Sequence, residues 1–175
     1  MGAATAAARK PAPRYTRAGT SAWRKKAMPS TYASLQTHLV FGTKHRERLI
    51  LPDFEERLHA YIGGCLRSIG AVPIEINGMD DHLHVFAGIK TTQNVAAVVN
   101  RIKSGSSGWV HDEIGLKRFG WQDGYGAFSV SKSMIETVRR YIQTQKEHHR
   151  TRTFEDEYRE LLRLHDIEID ERYFL

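Results

Sequence analysis

The hydrophobic and polar positions along this chain change period several times, and each change marks an element. Leu35, Thr37, Leu39 and Phe41 alternate with Ser34, Gln36, His38 and Val40, so Tyr32–Thr43 is predicted as a β-strand. From Pro52-Asp53 the period lengthens, and Phe54, Leu58, Tyr61, Ile62, Cys65, Leu66 and Ile69 recur at helical spacing. Asp53 is the expected cap, Glu55 and Glu56 suit the helix dipole, and Gly70 ends the helix. Strand character returns over Ile74–Ile89, broken by Asn77-Gly78, a strong turn signal that Met79-Asp80-Asp81 lengthens. A second helix is predicted from about Thr92, with Val95, Val98, Val99 and Ile102 as its apolar stripe. Ser104-Gly105-Ser106-Ser107-Gly108 is expected to fray or break it. Phe119–Ser131, with Trp121, spaced glycines and Phe128 alternating with Val130, reads as a bent or bulged strand. Ser131 or Ser133 then caps a third helix, with Glu136 at capping-box distance from Ser133. It carries Ile135, Val138 and Ile142 and ends near His148-His149. A last amphipathic piece covers Phe154–His165.

Strand, helix, strand, strand, helix, strand, helix is the order of an α+β domain. Such an order predicts an antiparallel sheet with helices packed on one face, the ferredoxin-like or RRM-like layout. A length of 175 residues with 41% hydrophobic positions suits one domain with extensions. The expected division is a disordered basic tail over residues 1–27, a folded domain over 28–150 and a helical extension over 151–175. Met28, followed by Pro29-Ser30-Thr31, reads well as an alternative start. No apolar run is long enough to cross a membrane, and the N-terminus has no secretory apolar core, so a cytoplasmic protein is expected. The single cysteine, Cys65, agrees with a reducing compartment and is assigned to core packing.

The net charge of +6 changes this picture less than it first suggests. Residues 1–27 hold seven Lys/Arg and no acid, while 151–175 hold four basic and eight acidic side chains. The folded domain is therefore only mildly basic, and the overall charge says little about its partners.

The chemistry enters with His82-Leu83-His84. In a strand, residues two apart share a face, so Leu83 turns toward a core while both imidazoles reach one point on the other side. Two neutral imidazoles at that spacing can hold a divalent cation. A chance pair on a half-exposed strand is the plain alternative. On the third helix Tyr141 and Gln145 lie four apart and share a face. A phenol beside a metal-bound phosphate is a usable nucleophile once aimed and helped to lose its proton, and an amide oxygen is a hard ligand for Mg²⁺ or Mn²⁺. Lys44 and Arg46, in the basic loop after the first strand, either contact phosphates or are simply solvated.

Asp81-His82-Leu83-His84, Gly124–Ser131, Tyr141–His149 and the ending Asp166–Tyr173 together resemble the single-tyrosine HUH transposases of small insertion sequences, the IS200-like family, with a REP-associated branch. HUH stands for His, a hydrophobic residue, His. The resemblance runs from about Met28 to the C-terminus. It implies that His82, His84 and Gln145 bind a divalent metal, Mg²⁺ or Mn²⁺, and that Tyr141 is the nucleophile. In the family the tyrosine attacks single-stranded DNA, forms a 5′-phosphotyrosine link and releases a 3′-hydroxyl, and reversal rejoins strands without ATP. The resemblance further implies recognition of hairpins near element ends and a homodimer, with the nucleophile helix drawn from either subunit. It also implies no membrane partner and no small-molecule substrate. Lys103, Ser106 and Ser107 match a stretch expected near DNA, with Arg101 beside it. Thr144 stands where the family often has Asn. Two other readings stay open beside the transposase: a domesticated REP-associated nuclease, and a non-catalytic ferredoxin-like nucleic-acid binder. A hydrolase using metal-activated water, with no covalent intermediate, is a further alternative.

Overall fold

The computed structural model describes residues 32–172 and Phe174. The predicted tail over 1–27 and the alternative start at Met28 lie outside the described residues. Four strands, β1 (Gln36–Gly42), β2 (Val72–Gly78), β3 (His82–Gly88) and β4 (Gly126–Val130), form one antiparallel sheet in the order β2-β3-β1-β4. That is the order expected of the ferredoxin-like layout. The helices are α1 (Glu55–Ser68), α2 (Val95–Trp109), α3 (Ile135–Gln143), α4 (Gln145–His148) and α5 (Phe154–Leu164).

One sheet face carries Leu39, Phe41, Leu83, Val85 and Ala87, all buried against Leu58, Ile62 and Leu66 of α1 and Val98, Val99 and Ile102 of α2. This is the main core, and its helices occupy the single face the strand–helix order predicted. The register settles what the opposite face presents. Directly opposed residues share a face, and β3 sets His82 against Gly42, His84 against Val40 and Phe86 against His38. This second face is also covered. Phe154, Tyr158 and Leu162 of α5 pack onto Val40 and Phe128, while α3 leans on β2. Asn77, opposed to His84, donates to the carbonyls of Ile142 and Gln143, tying the end of α3 to the sheet.

Several local expectations change. The serine–glycine stretch does not break α2, which continues through Trp109 into a wider π-helical turn at Val110–Ile114. Ser104 and Ser106 return their hydroxyls to the carbonyls of Asn100 and Ile102, so their polarity is satisfied within the helix. Gly105 eases the approach of α1, since a Cβ there would lie 3.1 Å from the Cys65 sulfur, a tight contact. On the other face, a Cβ at Gly126 would lie 2.8 Å from the Tyr158 ring, so this glycine lets α5 sit down on the sheet. Neither Asp53 nor a Ser133 capping box forms; α1 follows Phe54, and α3 follows a short turn at Lys132–Met134. The predicted third helix is interrupted at Thr144, where the hydroxyl bonds back to the Arg140 carbonyl. Among the described residues no helix is long and apolar enough to cross a membrane.

Candidate metal and nucleophile site

Strand alternation sends His82 and His84 away from the main core, and the C-terminal helices bury them, leaving each 0% exposed. Each ring is oriented by a partner on its Nδ1. His82 Nδ1 lies 2.6 Å from Asp81 Oδ1, and the His82 ring stacks on Phe154 at a centroid distance of 4.0 Å. Arg46 covers the Phe154 ring and pairs with Asp81 at 3.2 Å. His84 Nδ1 lies 2.9 Å from His38 Nε2. Burial, then the neighbouring His84, lowers the His38 pKa well below its ordinary value, so His38 is neutral and can accept from His84 Nδ1–H. Burial likewise lowers His82, despite Asp81. Both histidines then turn an Nε2 lone pair toward the same interior point.

At that point stands a residue the sequence reading missed. Glu157, on α5 and 2% exposed, places Oε2 at 3.0 Å from His149 Nε2, 3.3 Å from His84 Nε2 and 3.7 Å from His82 Nε2. Its Oε1 accepts from Gln145 Nε2 at 2.8 Å and from the Tyr141 hydroxyl through a short bond. Burial pushes the carboxyl upward, but His149, His84 and Tyr141 outweigh it and hold Glu157 ionised, far below the usual carboxylate range. Tyr141 is driven the other way, well above an ordinary phenol, by burial and by the Glu157 charge. His149 is raised: burial opposes its charge, and the Glu157 hydrogen bond prevails. No periodicity could have flagged Glu157, because it reads as one of several acids in the first turn of an amphipathic helix. The adjacent pair His148-His149 was visible, with only His149 turned inward to Glu157; His148 meets the Thr144 hydroxyl.

Among the described residues five buried side-chain polar atoms lack a hydrogen-bond partner, and three are His82 Nε2, His84 Nε2 and Gln145 Oε1. Buried orphans of this kind call for a ligand. All three can donate a lone pair, so the donor set fits a divalent cation. Tyr141 lies beside its own chain's histidines, with ring centroids 5.9 Å from His84 and 6.3 Å from His38. A groove of about 600 Å³ between β4, α3 and α5 opens onto this phenol, lined by His38, Ser129, Ser131, Tyr141, Arg152 and Glu157 among others.

The structure thus brings Tyr141, His82, His84 and Gln145 into one cluster. Of the expected DNA contacts only Arg46 comes near, through Asp81 and Phe154. Arg101, Lys103, Ser106 and Ser107 sit on α2, across the sheet from Tyr141. Ser106 is wholly buried and accepts from the Trp121 indole at 2.9 Å, so it cannot meet DNA. Lys103 donates to the carbonyls of Gln122 and Gly124, at 2.8 and 2.6 Å, and lies over the Phe41 ring. It closes a loop over the core rather than offering a free cation. Arg101 and Lys44 are exposed, and Arg46 is engaged with Asp81 and Phe154.

Comparisons with known proteins identify a family and a shared fold. Residues 31–145 match the model of a family described as "Transposase IS200 like". No curated protein sequence matches the chain at a significant level. Two of the solved structures that share the fold are informative. A candidate transposase from Deinococcus radiodurans R1 is 20% identical, covers 69% of this chain and 97% of its own, and superposes with a TM-score of 0.54. A REP-associated tyrosine transposase bound to a REP hairpin is 15% identical, covers 74% of each chain, and has a TM-score of 0.53.

Proposed function

The chain belongs to the IS200-like transposase family, and from that premise we propose that it cleaves and rejoins single-stranded DNA through Tyr141, with metal assistance, at hairpin-bearing substrates. The observation that carries this reading is the contact chain from the Tyr141 hydroxyl through Glu157 to His84 and His82. It joins a nucleophile to a pair of metal-binding imidazoles inside one polypeptide.

A divalent cation, Mg²⁺ or Mn²⁺, held by His82, His84 and Gln145 would polarise phosphate oxygens as a Lewis acid. The chain's own groups do the rest. Asp81 and His38 hold the two imidazoles in the right tautomer. The bond to Glu157 aims the phenol. Attack by Tyr141 Oη forms a phosphorus–oxygen bond to the 5′ side, and the phosphorus–O3′ bond breaks. The phenolic proton is given up to solvent, and the 3′-oxygen leaves as a hydroxyl after taking up a proton from solvent. A later 3′-hydroxyl reverses the exchange without ATP. The groove beside Tyr141, with Arg152 on its wall, suits a strand carrying a phosphate to the phenol. The reading includes a homodimer acting in the cytoplasm. The REP hairpin bound to one protein of similar fold favours DNA hairpins as the partner, and a REP-associated nuclease as the second reading.

The test is a denaturing gel of labelled single-stranded hairpin DNA incubated with the protein and Mg²⁺ or Mn²⁺. A covalent protein–DNA band is expected, absent in Tyr141→Phe and His82→Ala. A wild-type protein that cuts without any covalent band would replace this reading with a metal-dependent hydrolase.

A further inference from the structure

The helix that carries Tyr141 has little apolar surface with which to hold its place. Of the nine residues of α3 only Ile142 is buried, and the helix stops at Thr144 before α4 begins. A helix this short is marginal by itself, so contacts from its neighbours must set where the phenol points. Glu75, on the edge strand β2, supplies two of them. Its Oε2 accepts from Arg139 Nε at 3.2 Å and from Gln143 Nε2 at 2.6 Å. We propose that Glu75 is a positioning residue for strand transfer, clamping α3 by the flank opposite Tyr141 so that the phenol is held beside the histidines of its own chain.

Three observations carry this. First, Arg139 and Gln143 lie two residues either side of Tyr141, roughly 200° around the helix from it, and being four apart they share one face. With that face tied to the sheet edge, Tyr141 is turned toward the sheet centre, where its ring lies 5.9 Å from that of His84 and 6.3 Å from that of His38. Second, β2 is built to put Glu75 there. Pro73 opposes Ala87, on the main-core face, and the register then shifts so that Glu75 opposes Phe86, on the histidine face. A regular strand would send residues 73 and 75 to the same face; the extra residue, Ile74, re-aims the carboxylate. Asn77 shares that face and binds the carbonyls of Ile142 and Gln143 at 2.9 and 3.1 Å. Third, the ties continue past the break at Thr144. Lys146 of α4 pairs with Glu55 of α1 at 2.7 Å, so the segments carrying Tyr141 and Gln145 are each anchored, to different elements. The side chains of Glu75 and Arg139 are 20% and 45% exposed. An ion pair this wet contributes little to global stability. What it fixes is an orientation, and misplacing a reacting group by about 1 Å costs on the order of 100-fold in rate.

This role rests on the transfer reaction proposed above, and the experiment separates the two. Adduct formation by the full-length protein is timed in single turnover with labelled single-stranded hairpin DNA at saturating concentration and Mg²⁺ or Mn²⁺. Affinity for the same DNA is read by fluorescence anisotropy in chelator, where nothing is cut. Glu75→Ala and, from the helix side, Arg139→Met should each slow adduct formation about 10–100-fold, with DNA affinity within about twofold and the urea midpoint close to that of wild type. Glu75→Gln keeps an acceptor for Gln143 but no charge for Arg139, and its rate should fall between. In the DNA-free protein, amide hydrogen exchange should quicken across residues 135–143 in Glu75→Ala while β1 and β3 stay protected. Wild-type adduct rates in both variants, or losses accounted for by weaker DNA binding or by global unfolding, would overturn the clamp and leave the reaction standing. A wild-type protein that forms no adduct, with exchange in α3 still quickened by Glu75→Ala, would remove the reaction and reduce Glu75 to a tie of the fold.

Discussion

The two faces of the sheet are built by the same strands to opposite ends. Toward α1 and α2, β1 and β3 present Leu39, Phe41, Leu83, Val85 and Ala87; toward α3–α5 they present His38, Val40, His82, His84 and Phe86. Both sets are buried, so burial alone does not distinguish core from site. The distinction lies in what burial does to each. Apolar side chains gain from leaving water and need no particular partner. Imidazoles and a carboxylate lose hydration and regain it only through directed contacts. The first face stabilises the fold; the second holds costly groups in place because that fold can bear them.

The largest expected effect tests the polar face. Tyr141→Phe should keep the fold and lower covalent adduct formation by about 10⁴-fold or more, read on the denaturing gel. An adduct retained in this variant would remove the nucleophile assignment and, with it, the functional meaning of the contrast. Next comes the apolar face. Leu83→Ala should cost about 2–5 kcal/mol in urea unfolding, since Leu83 is fully buried in the main core. His84→Ala, one position along the strand, should cost less in the metal-free protein, because it also removes a buried nitrogen with no partner. Equal losses would erase the difference between the faces.

A smaller effect sharpens the comparison at the site. Asp81→Asn should leave the sheet intact but weaken Mn²⁺ affinity by about 10–100-fold, because Asp81 orients His82 rather than touching the ion. A titration equal to that of wild type would show that the ring needs no such support. The smallest concerns a cation intruding on the apolar side. Burial lowers the pKa of Lys103 from 10.5 to about 8. A folded value below the unfolded one gives a stability contribution fully present above about 10.5 and lost as pH falls through about 8. Urea midpoints of wild type, compared with Lys103→Met, should therefore diverge in slope between those limits. Parallel slopes would mean that the carbonyls of Gln122 and Gly124 keep the ammonium charged.

What the sequence determined by itself was everything that depends on neighbours a few residues apart. Strand alternation separated Leu83 from His82 and His84, and helical spacing set Tyr141 and Gln145 on one side. The order of elements pointed to the sheet, because one short hairpin and two helical crossovers leave few antiparallel arrangements. Tertiary structure alone decided the rest. The serine–glycine stretch of α2 stayed helical because packing against α1 and back-bonded hydroxyls overrode weak propensity. Ser106 and Lys103, plausible as DNA contacts by type, were consumed by Trp121 and by loop carbonyls. Glu157 became the centre of the site although 73 residues or more separate it from His82 and His84 in the sequence. Nothing local marks one acid among several on an amphipathic helix. Its role arises only when α5 docks on Val40 and Phe128 and lowers that carboxylate between the imidazoles and the phenol.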